Sequence, residues 1–321
     1  MAARFLGTPH SAVLSAGGSN SSRRRSMLFM HQASCRPRFC DSGIFGNTTF
    51  SVHTSASTLG SARRSRVDES ENYKLEGIRH SLIRQEDSII FSLVERAHFC
   101  YNADTYNPAA FPMDGFQGSL VEYMVKETEN LHAKLGRYKS PDEHAFFPDN
   151  LPEPLLPPLE FPKVLHPAAD SINVNTQVWK MYFQNILPSL VRDGNDGNNA
   201  SSAISDTVCL QVLSKRIHYG KFVAEAKFQS ASEIYKQAIK AQDASKLLDL
   251  LTYPAVEAVV ARRVEMKTRK FGEEVSADEY EGNNAEPVYK INPQFVAQIY
   301  LDWIMPLTKQ VQVEYLLRRL D

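Results

Sequence analysis

From about Glu69 onward, apolar residues recur at spacings of three, four and seven, with Leu75, Ile78, Leu82, Ile89, Leu93 and Ala97 on one stripe. That period predicts a long amphipathic helix reaching about Tyr101. A second periodic run starts at Ser119, a good N-cap with Glu122 three residues on, and continues to Tyr138. Between Ser140 and Ile172 the period is lost, and eight of the chain's 17 prolines fall between Pro141 and Pro167. Proline fixes φ and lacks an N–H, so this segment is neither regular helix nor central strand. It reads as a long Pro-rich strap laid over helices. Helical spacing returns from Val174 to Leu190, stops at the turn cluster Asp193-Gly194-Asn195-Asp196-Gly197-Asn198-Asn199, and resumes from about Ser205 to Phe228. Shorter helices are expected near Ser232–Ala241 and Ala244–Leu251, then a longer one from Pro254, which suits a first helical position, to Lys270. An exposed polar loop over Gly272–Asn284 and a last helix from Pro293 to Leu320, kinked at Pro306, complete the chain. No series of alternating strands appears. The expected fold is all-α, a single-domain helical bundle with long helices over residues 67–321.

Composition narrows the class. A chain of 321 residues, 43% hydrophobic and 23% charged, can bury a real core, which excludes a disordered chain, a disulfide-knit miniprotein and a collagen-like fibre. No stretch of 18 uninterrupted apolar residues is present, so no bilayer span is expected. The net charge of −1 conceals a split: residues 1–67 hold nine Arg, no Lys and one acidic residue, and the remainder carries 27 Lys and Arg against 36 Asp and Glu. Residues 1–66, rich in Arg and Ser and poor in acids, have the composition of an organelle transit peptide, expected to be disordered and removed. The other reading is a basic tail that stays attached. The acidic remainder lacks the basic footprint that nucleic-acid binding requires. Cys35 and Cys40 fall in the leader, while Cys100 and Cys209 stand too far apart for a metal or redox motif, as suits a reducing compartment.

The familiar catalytic motifs are missing: no Gly-rich dinucleotide fingerprint, phosphate loop, His-Glu-x-x-His or nucleophile elbow is found, and the histidines do not cluster at ligand spacings. Neither a metal nor a cofactor is expected. His218 reads as a satisfied packing residue rather than a base. The informative segment is Arg216-Ile217-His218-Tyr219-Gly220-Lys221-Phe222-Val223-Ala224-Glu225-Ala226-Lys227. At about 100° per residue, Arg216, Gly220, Val223 and Lys227 share one stripe, with the two cations roughly 16 Å apart along the axis. Two cations flanking a bare backbone suit the floor of a pocket for a small dianion; the plainer reading is a solvated basic face with Gly220 allowing close helix packing. Thr308 and Gln312 form a second pair, one turn apart beside apolar residues, so each needs a hydrogen-bond partner from the protein or a ligand. Arg79 and Glu257 are ordinary as single residues. Residue types and spacing alone therefore reach a helical domain with a candidate anion pocket.

Longer strings go further. Ile78-Arg79 through Arg84-Gln85-Glu86-Asp87-Ser88-Ile89-Ile90-Phe91, Ser140-Pro141-Asp142-Glu143 with Phe146-Phe147-Pro148, the Arg216–Gln229 segment and the terminal Val313–Leu320 closely resemble the all-helical chorismate mutases of plants and fungi, over residues 69–321. The resemblance implies rearrangement of chorismate to prephenate, at the entry to phenylalanine and tyrosine biosynthesis, without cofactor or covalent intermediate. It implies that Arg79 and Arg216 grip the substrate carboxylates, Lys227 and Gln312 face the ether oxygen, Glu257 receives the ring hydroxyl and Thr308 forms pocket wall. Where fungal members carry an asparagine that contacts substrate, four residues before the glutamate, this chain has Tyr253. The resemblance further implies a homodimer and, with the leader, a location in the chloroplast stroma, the cytosol being the alternative. Regulated members bind tyrosine or tryptophan at the subunit interface, using an arginine that matches Arg137 and a Gly-Ser pair, in the loop before the catalytic helix, that matches Ala200 and Ser201. Tryptophan, tyrosine and phenylalanine are thus candidate effectors, with Ala200 in place of glycine expected to weaken binding if the effector approaches backbone there. No nucleic-acid or membrane partner is expected. The competing reading is a catalytically silent helical scaffold or regulatory protein of the same fold.

Overall fold

The computed structural model describes residues 74–158, 161–274 and 287–321. Eleven α-helices are described: α1 (Leu75–Ala97), α2 (Leu120–Lys134), α3 (Asn175–Met181), α4 (Leu187–Leu190), α5 (Asn199–His218), α6 (Gly220–Ser230), α7 (Ser232–Lys240), α8 (Ala244–Leu251), α9 (Pro254–Gly272), α10 (Pro293–Ile299) and α11 (Met305–Leu317). No strand occurs among the described residues, only two isolated bridges. The all-α expectation holds. The leader lies outside the described residues, as does most of the expected loop over Gly272–Asn284.

Helix ends follow local chemistry. Ser119 caps α2 with a complete capping box, its backbone N–H reaching the Glu122 carboxylate at 2.7 Å. That helix stops at Lys134, short of the expected Tyr138, because Gly136 turns into the left-handed region at φ 83°. α1 likewise ends at Ala97 rather than Tyr101. α5 begins at Asn199, not near Ser205, because tertiary contacts organise the turn cluster before it. The Asp196 carboxylate accepts from Cys100 N at 2.9 Å, Asn102 Nδ2 at 2.8 Å and Asn198 N at 3.0 Å.

Two expected helices are interrupted by π segments. Tyr182–Ile186 joins α3 to α4, and Tyr300–Ile304 joins α10 to α11. Each segment ends two residues before a proline, Pro188 and Pro306. Proline cannot donate to the carbonyl four residues back and its ring crowds that carbonyl; a widened turn absorbs both problems without breaking the helix. The expected kink at Pro306 thus takes the form of a π bulge.

The core runs along the contacts of α1, α5, α6 and α11, with Ile89, Ile90, Leu93, Leu210, Leu213, Ile217, Val311 and Tyr315 buried. The Pro-rich strap is tied down on helices, as expected, here on α11 and α2. Its His166 N–H donates to the Tyr315 hydroxyl on α11 at 3.0 Å, and its Phe146 and Phe147 N–H groups donate to the buried Glu129 carboxylate on α2 at 2.7 and 2.9 Å. Burial pushes the Glu129 carboxyl up to about 7, against the opposing pull of those two N–H groups. The expected continuous helix over 205–228 is interrupted at Tyr219, whose N–H still bonds Lys215 O at 3.0 Å. Just beyond it, Gly220 meets α11 so closely that a Cβ there would stand 2.8 Å from the Thr308 carbonyl oxygen. Gly220 therefore sets how closely α6 and α11 approach.

Candidate active site

One cavity, of about 140 Å³, is lined by residues of α1, α6, α9 and α11 with the ends of α5 and α8. It gathers Arg216, Lys227, Glu257, Thr308 and Gln312, with Leu82, Val223, Leu251, Val260 and Met305 as apolar wall. Five of the six expected substrate-contacting residues are thus brought together. Arg216, at the end of α5, and Val223 and Lys227, on α6, line one wall, and Gly220 packs on Thr308; the close packing is observed, whereas the solvated basic face is not, because Arg216 is buried.

Arg79 is the exception. It is exposed on α1, one turn from the lining residue Leu82, and its guanidinium pairs with Glu76 at 3.5 Å. Its charge nonetheless reaches Lys227, whose pKa it lowers.

Arg216 is 6% exposed, and its one hydrogen bond among the described residues is a long one, Nη1 to Thr308 Oγ1 at 3.4 Å. Its buried Nε has no partner. The carboxylate whose field it feels, Glu86, is already held by Arg263 at 2.9 and 2.6 Å. Burial pulls the Arg216 pKa down, since a desolvated cation without a counter-ion is costly. Gln312 tells the same story: its amide nitrogen donates to Thr308 O at 3.2 Å, while its buried Oε1 has no partner. The Thr308 hydroxyl donates to Ile304 O at 2.6 Å.

Lys227 is half-buried and donates to Leu251 O at 3.1 Å. Desolvation brings its pKa down to about 8; Glu257 opposes the shift, while Arg79 and Lys309 reinforce it. Lys309 was not legible in the sequence. Its ammonium grips Glu257 at 3.0 and 3.3 Å across 52 residues of chain, whereas a lone lysine on a helix reads as solvated. Tyr253, flagged only as a departure from the fungal pattern, also lines the cavity.

His218 is a satisfied core residue as expected. Its Nε2 accepts from Val174 N at 2.9 Å, its ring stacks on His144, and burial holds it down to about 3. Among the described residues, no group of three His, Cys, Asp or Glu side chains is placed to hold a metal ion, and no helix is long and apolar enough to cross a membrane.

The candidate effector residues are not brought together within one chain. Arg137 is tied to Glu143 at 3.0 Å, His132 at 2.9 Å and Gln211 at 2.9 Å. Ser201 lies ten residues before Gln211 on α5, roughly 15 Å away along the axis. Ala200 stands exposed in the first turn of α5 rather than in a loop, a backbone conformation that alanine adopts freely.

The described residues thus form a helical bundle whose cavity brings the cations Arg216, Lys227 and Lys309 beside Glu257 and Gln312. Comparison with known proteins narrows this. Residues 199–313 match the family model described as Chorismate mutase type II. A chloroplastic chorismate mutase 1 of Petunia hybrida is 58% identical over 327 residues, covering 100% of both chains. The crystal structure of AtCM1 with phenylalanine bound in its allosteric site is 67% identical, with a TM-score of 0.73, covering 80% of this chain and 100% of that one. A Candida albicans chorismate mutase in complex with L-Trp is 38% identical, with a TM-score of 0.73, covering 78% and 93%. The chain belongs to the type II chorismate mutase family.

Proposed function

We propose that this chain rearranges chorismate to prephenate in the cavity between α6, α9 and α11, by electrostatic preorganisation and without a cofactor. Family membership makes it an isomerase. The observation that carries the assignment of the site is Arg216, a buried guanidinium without an ion pair among the described residues, sharing one cavity with Lys227 and Gln312. A dianionic substrate supplies the missing counter-charge.

The reaction breaks one C–O bond and forms one C–C bond within the substrate, so no proton needs to be transferred. The protein helps by holding the flexible substrate compact and by aiming donors at the ether oxygen, where negative charge grows. Arg216 takes a carboxylate with the planar fork of its guanidinium, and Arg79 swings in from α1 to take the other. Lys227 and the Gln312 amide donate to the ether oxygen from opposite sides. Glu257 accepts the ring hydroxyl, and Lys309 orients that carboxylate.

The silent-scaffold reading expects damage at the cationic or ether-facing positions, and none is found at Arg79, Arg216, Lys227, Glu257 or Gln312. The discriminating assay follows loss of chorismate absorbance. Losing one preorganised donor typically removes roughly 3–4 kcal/mol of transition-state stabilisation, so Lys227→Ala is expected to turn over at least about a hundredfold more slowly. Near-normal turnover by folded Lys227→Ala protein would remove that role, and no turnover by folded wild-type protein would favour the scaffold.

Effector control follows the same logic. AtCM1 has been crystallised with phenylalanine and with tyrosine in its allosteric site, and the Candida albicans enzyme with L-Trp. Arg137 from one protomer and Ser201 from a second, in a homodimer, would satisfy a zwitterionic ligand that one chain cannot. The leader composition and the chloroplastic relatives support a plastid location.

A further inference from the structure

The ammonium of Lys227 carries three N–H donors, and the structure accounts for two sides of it. One is the Leu251 carbonyl at 3.1 Å. The other is the face of Tyr253, whose ring centroid lies 4.8 Å from Nζ, inside the range of a cation–π contact. Both residues belong to the connector in which α8 ends and α9 begins. The connector owes its shape to Pro254. Its ring crowds the preceding residue out of the helical region, and Tyr253 is held at φ −129°, ψ 88°. This backbone carries the tyrosine ring over the lysine rather than along the helix. The Tyr253 hydroxyl interacts with Tyr235, which does not line the cavity.

We propose that Tyr253 is a positioning residue: its ring face and the Leu251 carbonyl hold the Lys227 ammonium so that its remaining N–H is aimed into the cavity. The inference rests on the reading of Lys227 as the ether-oxygen donor. It gives the tyrosine a role toward the lysine, distinct from the substrate contact implied for the fungal asparagine. The attraction is electrostatic, between the cation and the negative face of the ring, and the ring also keeps water from one side of the ammonium.

The test separates charge on the ring from its shape. Tyr253 is replaced by phenylalanine and then by mono-, di- and trifluorinated phenylalanines, which drain the ring face of negative charge at nearly constant size. The expected result is a stepwise fall in kcat/KM with each fluorine, about five- to twentyfold across the series. The alkaline limb of the pH profile should move to lower pH along the series, because the ammonium loses stabilisation. Tyr253→Leu should lie at or below the trifluorinated end. A flat series would overturn the proposal, leaving the ring as apolar wall. A full loss at the first step, Tyr253→Phe, would also overturn it, because the hydroxyl would then be the working group. Lys227→Ala in the same assay keeps the two readings apart: its loss of activity beside a flat series rejects only the Tyr253 role, whereas near-normal activity rejects the Lys227 reading.

Discussion

Two buried arginines meet opposite halves of α5. Arg96 reaches its N-terminal half from α1, and Arg216 belongs to its C-terminal half. Arg96 is 0% exposed and fully engaged: Nε donates to Asp206 at 2.6 Å, Nη1 to Phe99 O at 3.0 Å and Nη2 to the Tyr106 hydroxyl at 2.9 Å. Asp206 is closed from its other side by the hydroxyls of Tyr182 and Tyr106, each at 2.7 Å. Arg216 is nearly as buried and has one long hydrogen bond. A buried charge with a complete set of partners holds the bundle together. The same charge with its partners withheld suits the ligand proposed for it, and on that proposal the contrast separates scaffold from site along a single helix.

The largest effect expected from this contrast is on stability. Asp206→Ala strands the Arg96 charge in the core and should lower unfolding stability by about 3–5 kcal/mol in denaturant titration. Arg216→Met should do the reverse of a structural lesion: unfolding stability within about 1 kcal/mol of wild type, or higher, with kcat/KM down by at least about a hundredfold. Equal stability losses in the two variants would break the comparison. Gly220→Ala probes the spacing of the site directly. Its Cβ would stand 2.8 Å from the Thr308 carbonyl, so α6 and α11 must part, at about 1–3 kcal/mol of stability and with a loss of turnover in the folded fraction.

The smallest effects concern pH. The Gln312 amide donates at any pH, so the rate should be nearly flat across neutral pH. Burial brings the Lys227 pKa down to about 8, so its ammonium is present below that value and lost above it. Accordingly kcat/KM should fall on the alkaline side of about 8, with kcat falling later because a bound dianion favours the charged lysine. Gln312→Glu should add a second fall, between about pH 6 and 8, because a carboxyl must be protonated to donate. A profile unchanged by that substitution would remove Gln312 from the ether-facing position.

Much of the bundle was legible in the chain. The limits of α8 and the start of α9 at Pro254 follow from local signals, and so does the Ser119 capping box. The π segments were not, because a proline announces that a helix is disturbed without saying whether it kinks, breaks or widens; packing on both sides keeps these two continuous. The early start of α5 was hidden for a related reason. Asn198 and Asn199 are weak helix formers, and it is Asn102, Cys100 and Thr105, about a hundred residues earlier, that organise the turn before them.

The site divides along the same line. The stripe of Gly220, Val223 and Lys227 on α6 is fixed by the 3.6-residue repeat, a local property of the backbone that the order of residues is enough to establish, whereas Arg216 stands at the end of α5, across the interruption at Tyr219. Packing alone settled what that stripe faces. Thr308 and Gln312 arrive from α11, Glu257 arrives with Lys309 attached, and the Tyr253 ring comes to rest over Lys227. Those contacts join segments far apart in the chain, and their distances depend on how closely whole helices approach. No periodicity within one helix carries that information.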